Sequence, residues 1–206
     1  MRNFILPMTF LAGPAGTMPR PPNSTKNLRV VVVRHGPAEN RDARRWPNDA
    51  RRPLTARGRI ETRQAAAGLA ELTSRADRLA SSAATRAIAT AELVQRAIAK
   101  GAPIETWPEL APGILPGPVF AKLRRASTDA REVVLVGHDP TLSEFVSMAI
   151  LGDGVQAVRI SKGGAACLEF PTEVKPGAGR LVWLLTRRQL AARRRRSAGA
   201  FPSRPP

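Results

Sequence analysis

Two apolar runs, Val30-Val31-Val32-Val33 and Val133-Val134-Leu135-Val136, constrain the fold of this chain more than any other feature. Four successive branched aliphatic residues with no polar alternation describe a strand covered on both faces, as in parallel sheets sandwiched between helices. Each run ends in a histidine beside a glycine: Arg34-His35-Gly36 follows the first, and Gly137-His138 closes the second. These are the only two histidines in the sequence. In open α/β sheets, ligands bind just beyond the carboxyl ends of the strands. Both imidazoles are therefore expected at one edge of one sheet.

At 206 residues the chain is long enough for one domain with a full core. A single cysteine, Cys167, forms no internal disulfide and reads as a small buried hydrophobe. Basic residues outnumber acidic ones 33 to 16, a net charge of +17 that by itself fits nucleic acid or anionic surfaces. Only five of the 33 are lysines, and the arginines are spread along the chain, as in a compositional bias. With aromatics at 4% and no tyrosine, stacking platforms for bases are scarce, so nucleic acid is not the expected partner.

Residues 1–27 hold five prolines and read as a disordered extension. Phe4 to Ala12 is a crude match to the apolar core of a signal peptide, but it is short and broken by Pro7. Met1 and Met18 both qualify as the start, and the expected location is cytoplasmic. No run reaches the length of a membrane-spanning helix. At the other end, Arg193-Arg194-Arg195-Arg196 followed by small residues and prolines reads as a basic disordered tail covering 187–206.

Between the tails, over 28–186, strands and helices alternate. Strands are predicted at Leu28–Arg34, Arg78–Ser81, Glu132–Gly137, Ala165–Phe170 and Arg180–Leu185. Helices are predicted from a Thr55 cap to about Leu72, from Thr85 to Lys100, and from Thr141 to Leu151. In the second helix Ala87, Ala91, Val94 and Ile98 form one stripe facing the sheet. Repeated strand-helix units predict a three-layer α/β/α sandwich with a mostly parallel, mixed sheet.

The predicted rim carries Arg34, His35 and Gly36, then Arg86 near the start of a helix, then Gly137 and His138. Two guanidiniums and two imidazoles make an anion pocket, because the planar fork of arginine matches phosphate oxygens. The sequence has no metal-ligand spacing and no Walker-type loop, so neither a metal nor a cofactor is expected. A neutral histidine in such a pocket can attack phosphorus and split one displacement into two easier ones.

Three segments carry a family resemblance: Arg34-His35-Gly36, Ser82-Ala83-Ala84-Thr85-Arg86 with Thr90-Ala91-Glu92, and Val136-Gly137-His138-Asp139-Pro140-Thr141-Leu142-Ser143. In this order they resemble the histidine phosphatase superfamily, whose fold is phosphoglycerate mutase-like. Arg34 to Glu39 and Asp49 to Gly58 further resemble the small bacterial phosphohistidine phosphatases of the SixA type. The resemblance implies that His35 becomes phosphorylated while Arg34, Arg86 and His138 hold the phosphoryl group. Ala83 departs from the usual proline and Ala89 from a frequent glutamine. Pro37 and Ala38 depart from the mutase pattern and argue against mutase activity.

A general acid is not singled out. Glu109 lies where larger members keep an acidic residue, and Asp49, Glu39 and Asp139 compete with it. A phosphorylated imidazole can leave as a neutral ring, whereas an alkoxide needs a proton delivered. The missing acid therefore favours a phosphohistidine-containing protein over a small phosphorylated substrate. Short connections favour an open site, with Trp107 to Arg131 as the one insertion able to roof it in part. The alternatives are a phosphatase for small phosphate esters and, from another class, a non-catalytic phosphate or nucleic-acid binding module.

Overall fold

The computed structural model describes residues 27–73, 75–152 and 155–198. Residues 1–26, with the candidate leader and both candidate starts, and residues 199–206 lie outside the described residues. The elements in chain order are β1 (Leu28–Arg34), α1 (Ala56–Leu69), β2 (Arg78–Ser81), α2 (Thr85–Ile98), β3 (Ile104–Thr106), α3 (Pro116–Ala126), β4 (Glu132–Gly137), α4 (Thr141–Leu151), β5 (Ala165–Phe170), β6 (Arg180–Leu185) and α5 (Arg187–Ala198). All five predicted strands and the three predicted helices are present. The sequence reading missed β3, α3 and α5.

One mixed six-stranded sheet runs in the order β3-β2-β4-β1-β5-β6. Its first four strands are parallel, while β5 and β6 run antiparallel to their neighbours. The pleat sends Val30, Val32, Val133 and Leu135 to one face, against Val119, Phe120 and Leu123 of α3 and Leu142, Phe145 and Val146 of α4. Val31, Val33, Val134 and Val136 meet Ala65 and Leu69 of α1, Ala87, Ala91, Val94 and Ile98 of α2, and Leu190 of α5 on the other. This is the expected α/β/α sandwich. Full burial of both faces explains the unbroken valine runs, each valine contributing roughly 1.5–3 kcal/mol relative to exposure.

Two expectations are corrected. The insertion from Trp107 to Arg131 is mostly core, with Trp107, Leu110, Val119, Phe120 and Leu123 all buried against the sheet. Its Pro112 reaches the edge where the histidines lie, so it borders that edge in small part rather than forming a lid over it. Residues from 187 onward are not a disordered tail at their start, because Arg187–Ala198 form α5. The helix rests on α1 and buries Leu190 to 2% exposure. The approach is close: a Cβ on Gly68 of α1 would fall 1.8 Å from the Leu190 carbonyl oxygen. No helix among the described residues is long and apolar enough to cross a membrane.

The α1–α5 contact sets a test. Leu190→Ala is expected to lower the unfolding free energy by about 2–4 kcal/mol in urea melts. Gly68→Ala, which would push two backbones apart, is expected to cost about 1–3 kcal/mol. Unchanged midpoints for both variants would contradict a docked α5.

Candidate active site

Parallel pairing of β1 with β4 sets the site. The register aligns Arg34 with Gly137, so the next residue of each strand, His35 and His138, emerges at the same height. The His35 amide donates to the Gly137 carbonyl at 3.0 Å, which carries the pairing one residue beyond the strand. The two imidazole centroids lie 5.0 Å apart with the rings tilted by 55°. On the far side of β4, the Ser82 amide after β2 donates to the Val136 carbonyl, and the first turn of α2 then delivers Arg86.

The His35 loop is fixed from several directions. The Gly163 amide lies 3.0 Å from the His35 carbonyl and 3.1 Å from that of Arg34. The Gly36 amide donates to Thr90 Oγ1 at 3.1 Å, and the Thr90 hydroxyl donates to the Arg86 carbonyl at 2.8 Å, joining the two motifs. Glycine is required at position 36, since a Cβ there would lie 2.0 Å from Thr62 Oγ1. The Thr55 amide donates to the Pro37 carbonyl, and Ala38 bridges Leu54, drawing the stretch before α1 against the same loop.

The proton on the His35 ring is assigned by its partner. Nδ1 lies 2.7 Å from the Gly36 carbonyl, which only accepts, so Nδ1 carries the hydrogen and donates it. In the neutral ring Nε2 then keeps its lone pair. Burial, reinforced by the cations of Arg86, Arg34 and Arg52, pushes the His35 pKa down to about 4. His138, whose Nε2 lies 3.0 Å from Ser82 Oγ, is pushed down to about 3 by burial and then by His35 and Arg86. Both rings are neutral at physiological pH.

A cavity of about 280 Å³ opens on this edge, lined by Arg34, His35, Arg52, Arg86 and His138, with Glu39, Asn40, Arg41, Pro112, Asp139 and Lys162. The structure thus brings all four sequence-predicted residues to one cavity. Arg86 is 2% exposed, and its fork is held by Asp49, with Nη1 donating to the Asp49 carbonyl at 2.7 Å and Nη2 to Oδ2 at 3.0 Å. Arg34 Nη1 donates to the Ile160 carbonyl at 2.8 Å and lies 3.5 Å from Asp139 Oδ2. Nε of both arginines is buried and finds no partner among the described residues.

Arg52 was not singled out from the sequence. It is buried, donates from Nε to Asp49 Oδ1 at 2.8 Å and from Nη1 to the Glu39 carbonyl at 2.6 Å, and lines the cavity. In a chain this rich in arginine, no spacing distinguishes it. A clue lay in Arg52-Pro53-Leu54-Thr55, where a long cation immediately precedes a helix cap.

The acid candidates separate in the structure. Hydrogen bonding from Arg52, with Arg86 and Arg41 nearby, holds the Asp49 carboxyl below the usual range, so it is an ionised partner of two guanidiniums rather than a proton donor at neutral pH. Glu109 does not line the cavity. Glu39 and Asp139 do, and Asp139 also accepts from the Ser143 hydroxyl. Three inward guanidiniums, a bare imidazole nitrogen and a second neutral imidazole can bind a tetrahedral oxyanion and accept phosphorus on nitrogen.

The depressed histidine values predict how the rings titrate. An unfolded histidine protonates near pH 6.5, so between there and about 4 the unfolded chain binds more protons than the folded one. Stability contributed by the neutral rings is therefore complete above about pH 6.5 and falls as the pH drops toward 4. In ligand-free protein, NMR titration is expected to show neither ring protonating above pH 5; a midpoint near 6.5 for either would contradict the buried geometry.

Comparison with known proteins agrees with this arrangement. Residues 30–114 match the model of the histidine phosphatase superfamily (branch 1), a span that includes Arg34, His35, Arg52 and Arg86. An uncharacterised protein of Picosynechococcus sp. is 33% identical over 143 residues, covering 66% of this chain and 82% of that protein. Among solved structures, the protein histidine phosphatase SixA complexed with tungstate superposes with a TM-score of 0.68 at 26% identity, covering 79% of this chain and 99% of that one. A protein of Agrobacterium tumefaciens assigned as phosphohistidine phosphatase SixA gives a TM-score of 0.62 at 27% identity, over 77% and 97% of the two chains. The mixed sheet with helices on both faces is accordingly the phosphoglycerate mutase-like fold, and the chain belongs to the histidine phosphatase superfamily, with SixA proteins among its structural neighbours.

Proposed function

We propose that the protein is a phosphohistidine phosphatase that removes phosphate from histidine on other proteins, including those of phosphorelay or phosphotransfer systems, through a phosphohistidine of its own at His35. One observation carries this reading: His35, a fixed and neutral imidazole whose Nδ1 bond to the Gly36 carbonyl leaves Nε2 unprotonated, lines a cavity together with Arg34, Arg52 and Arg86. The likeness to the SixA structures supports the substrate class.

In the first step Nε2 of His35 attacks phosphorus. The new N–P bond forms as the bond to the substrate ring nitrogen breaks, and that nitrogen keeps the electron pair. The substrate ring leaves as neutral imidazole if its other nitrogen carries a proton. Charge spreading over the equatorial oxygens meets the guanidiniums of Arg34 and Arg86, with the second imidazole, His138, beside them. As its Nε2 becomes bonded to phosphorus, the His35 ring turns cationic, and the Gly36 carbonyl accepting from Nδ1 stabilises that cation. Water then attacks phosphorus: the new O–P bond forms as the Nε2–P bond breaks, Nε2 takes back the electron pair to restore neutral His35, and the water's protons leave with the inorganic phosphate or to solvent.

Asp49 acts here as a positioning residue. It aims Arg86 and Arg52 at the cavity and offsets part of their repulsion before an anion arrives. Of the acid candidates Glu39 and Asp139 line the cavity, and a nitrogen leaving group, unlike an alkoxide, needs a proton from neither.

Incubation with a small phosphoramidate is expected to label the protein with acid-labile, alkali-stable phosphate, and His35→Ala to abolish the label. Arg86→Ala is expected to lower kcat/KM by about 10²–10³-fold, the loss typical of one preorganised donor to a developing oxyanion. A phosphohistidine protein is expected to exceed sugar phosphates in kcat/KM. Higher turnover of the sugar phosphates would assign the pocket to small esters, and labelling that survives His35→Ala would contradict the mechanism.

A further inference from the structure

A second, larger concavity of about 560 Å³ adjoins the phosphate cavity. It runs between the segment Arg159 to Lys162 and the start of α5, and is lined by Arg34, Arg159, Ser161, Lys162, Thr186, Arg187 and Arg188. Arg34 and Lys162 line both concavities, so an occupant of one reaches the other without leaving the surface.

Every ionisable residue lining this groove is cationic, and the rest of its lining is Ser161 and Thr186. Arg187 is partly neutralised by Glu61 at 3.1 Å and also donates to the Lys162 carbonyl at 3.4 Å, tying the groove's two walls together. Arg34 faces Asp139. Arg159 and Arg188 are exposed and form no ion pair among the described residues. The groove is thus built for anionic groups, and its volume is twice that of the pocket that takes the scissile phosphate.

We propose that this groove docks acidic side chains flanking the phosphorylated histidine of a protein substrate, so that the enzyme reads carboxylates next to the phosphate it removes. The inference rests on the phosphohistidine phosphatase reading above. A single phosphate group is satisfied within the His35 cavity and leaves the groove unused. Carboxylates held on a protein surface beside the phosphate reach it, and arginine forks match their planar oxygens. Complementary charge of this kind selects partners and speeds encounter, and it weakens as salt rises.

The test uses two peptides carrying the same non-hydrolysable phosphonate mimic of phosphohistidine, one flanked by aspartate and glutamate and the other by serine and glycine. At low salt the acidic peptide is expected to bind the wild-type protein on the order of tenfold tighter, a preference that shrinks as salt rises. The double variant Arg159→Glu, Arg188→Glu is expected to lose the preference while hydrolysing phosphoimidazole, which never reaches the groove, at the wild-type rate. That control also shows the variant to be folded. Equal binding of the two peptides by the wild type, or a preference undiminished in the double variant, would overturn the groove assignment. Failure of the wild type to hydrolyse phosphoimidazole would count against the phosphatase reading alone, because the peptide comparison is read from binding.

Discussion

The site depends on a single registration, the parallel pairing of β1 with β4 that sets Arg34 opposite Gly137. Because strand side chains alternate, a slip of one residue would turn one set of valines from one helical layer to the other and separate the two imidazoles. The valine runs resist such a slip: Val30 and Val32 fill one side of the sheet, while Val31 and Val33 fill the other. Packing on two faces therefore fixes the relative height of two catalytic candidates more than a hundred residues apart in the chain. The hydrogen bond from the His35 amide to the Gly137 carbonyl carries that order into the loop.

On this frame the protein confines cations. Arg86 is almost wholly buried, Arg52 is buried and Arg34 is partly so, an arrangement that costs desolvation and mutual repulsion. Asp49 accepts from two of the three and Asp139 faces the third, while the carbonyls of Glu39, Asp49 and Ile160 take further donors. The balance is incomplete, with Nε of Arg34 and of Arg86 unpartnered among the described residues. In the proposed complex a phosphate supplies the missing negative charge. Burial, reinforced by the same cations, holds His35 neutral, so in the proposed reaction the surroundings that attract the substrate also keep the nucleophile unprotonated.

Much of this was legible in the sequence, for identifiable reasons. The β1 and β4 strands were evident because burial on both faces leaves no polar alternation, and α2 because Ala87, Ala91, Val94 and Ile98 share one stripe, all buried. Other parts were hidden by their composition. In α5 the buried anchor Leu190 sits among arginines, so charge masked a helix whose backbone comes close to α1 at Gly68. In α3, Pro116 and Gly117 resemble a turn, yet Val119, Phe120 and Leu123 complete the core. Arg52 escaped notice because its role comes from Asp49 and Glu39, contacts made by a loop without periodicity.

The central claim is that Arg34, His35, Arg86 and His138 surround one tetrahedral anion, and a crystal structure of this protein with bound vanadate or tungstate tests it most directly. The account predicts the metal oxyanion against Nε2 of His35, with its oxygens contacted by both arginines and by His138. An oxyanion seated away from His35, or a complex in which the His138 ring has turned out of the cavity, would contradict it.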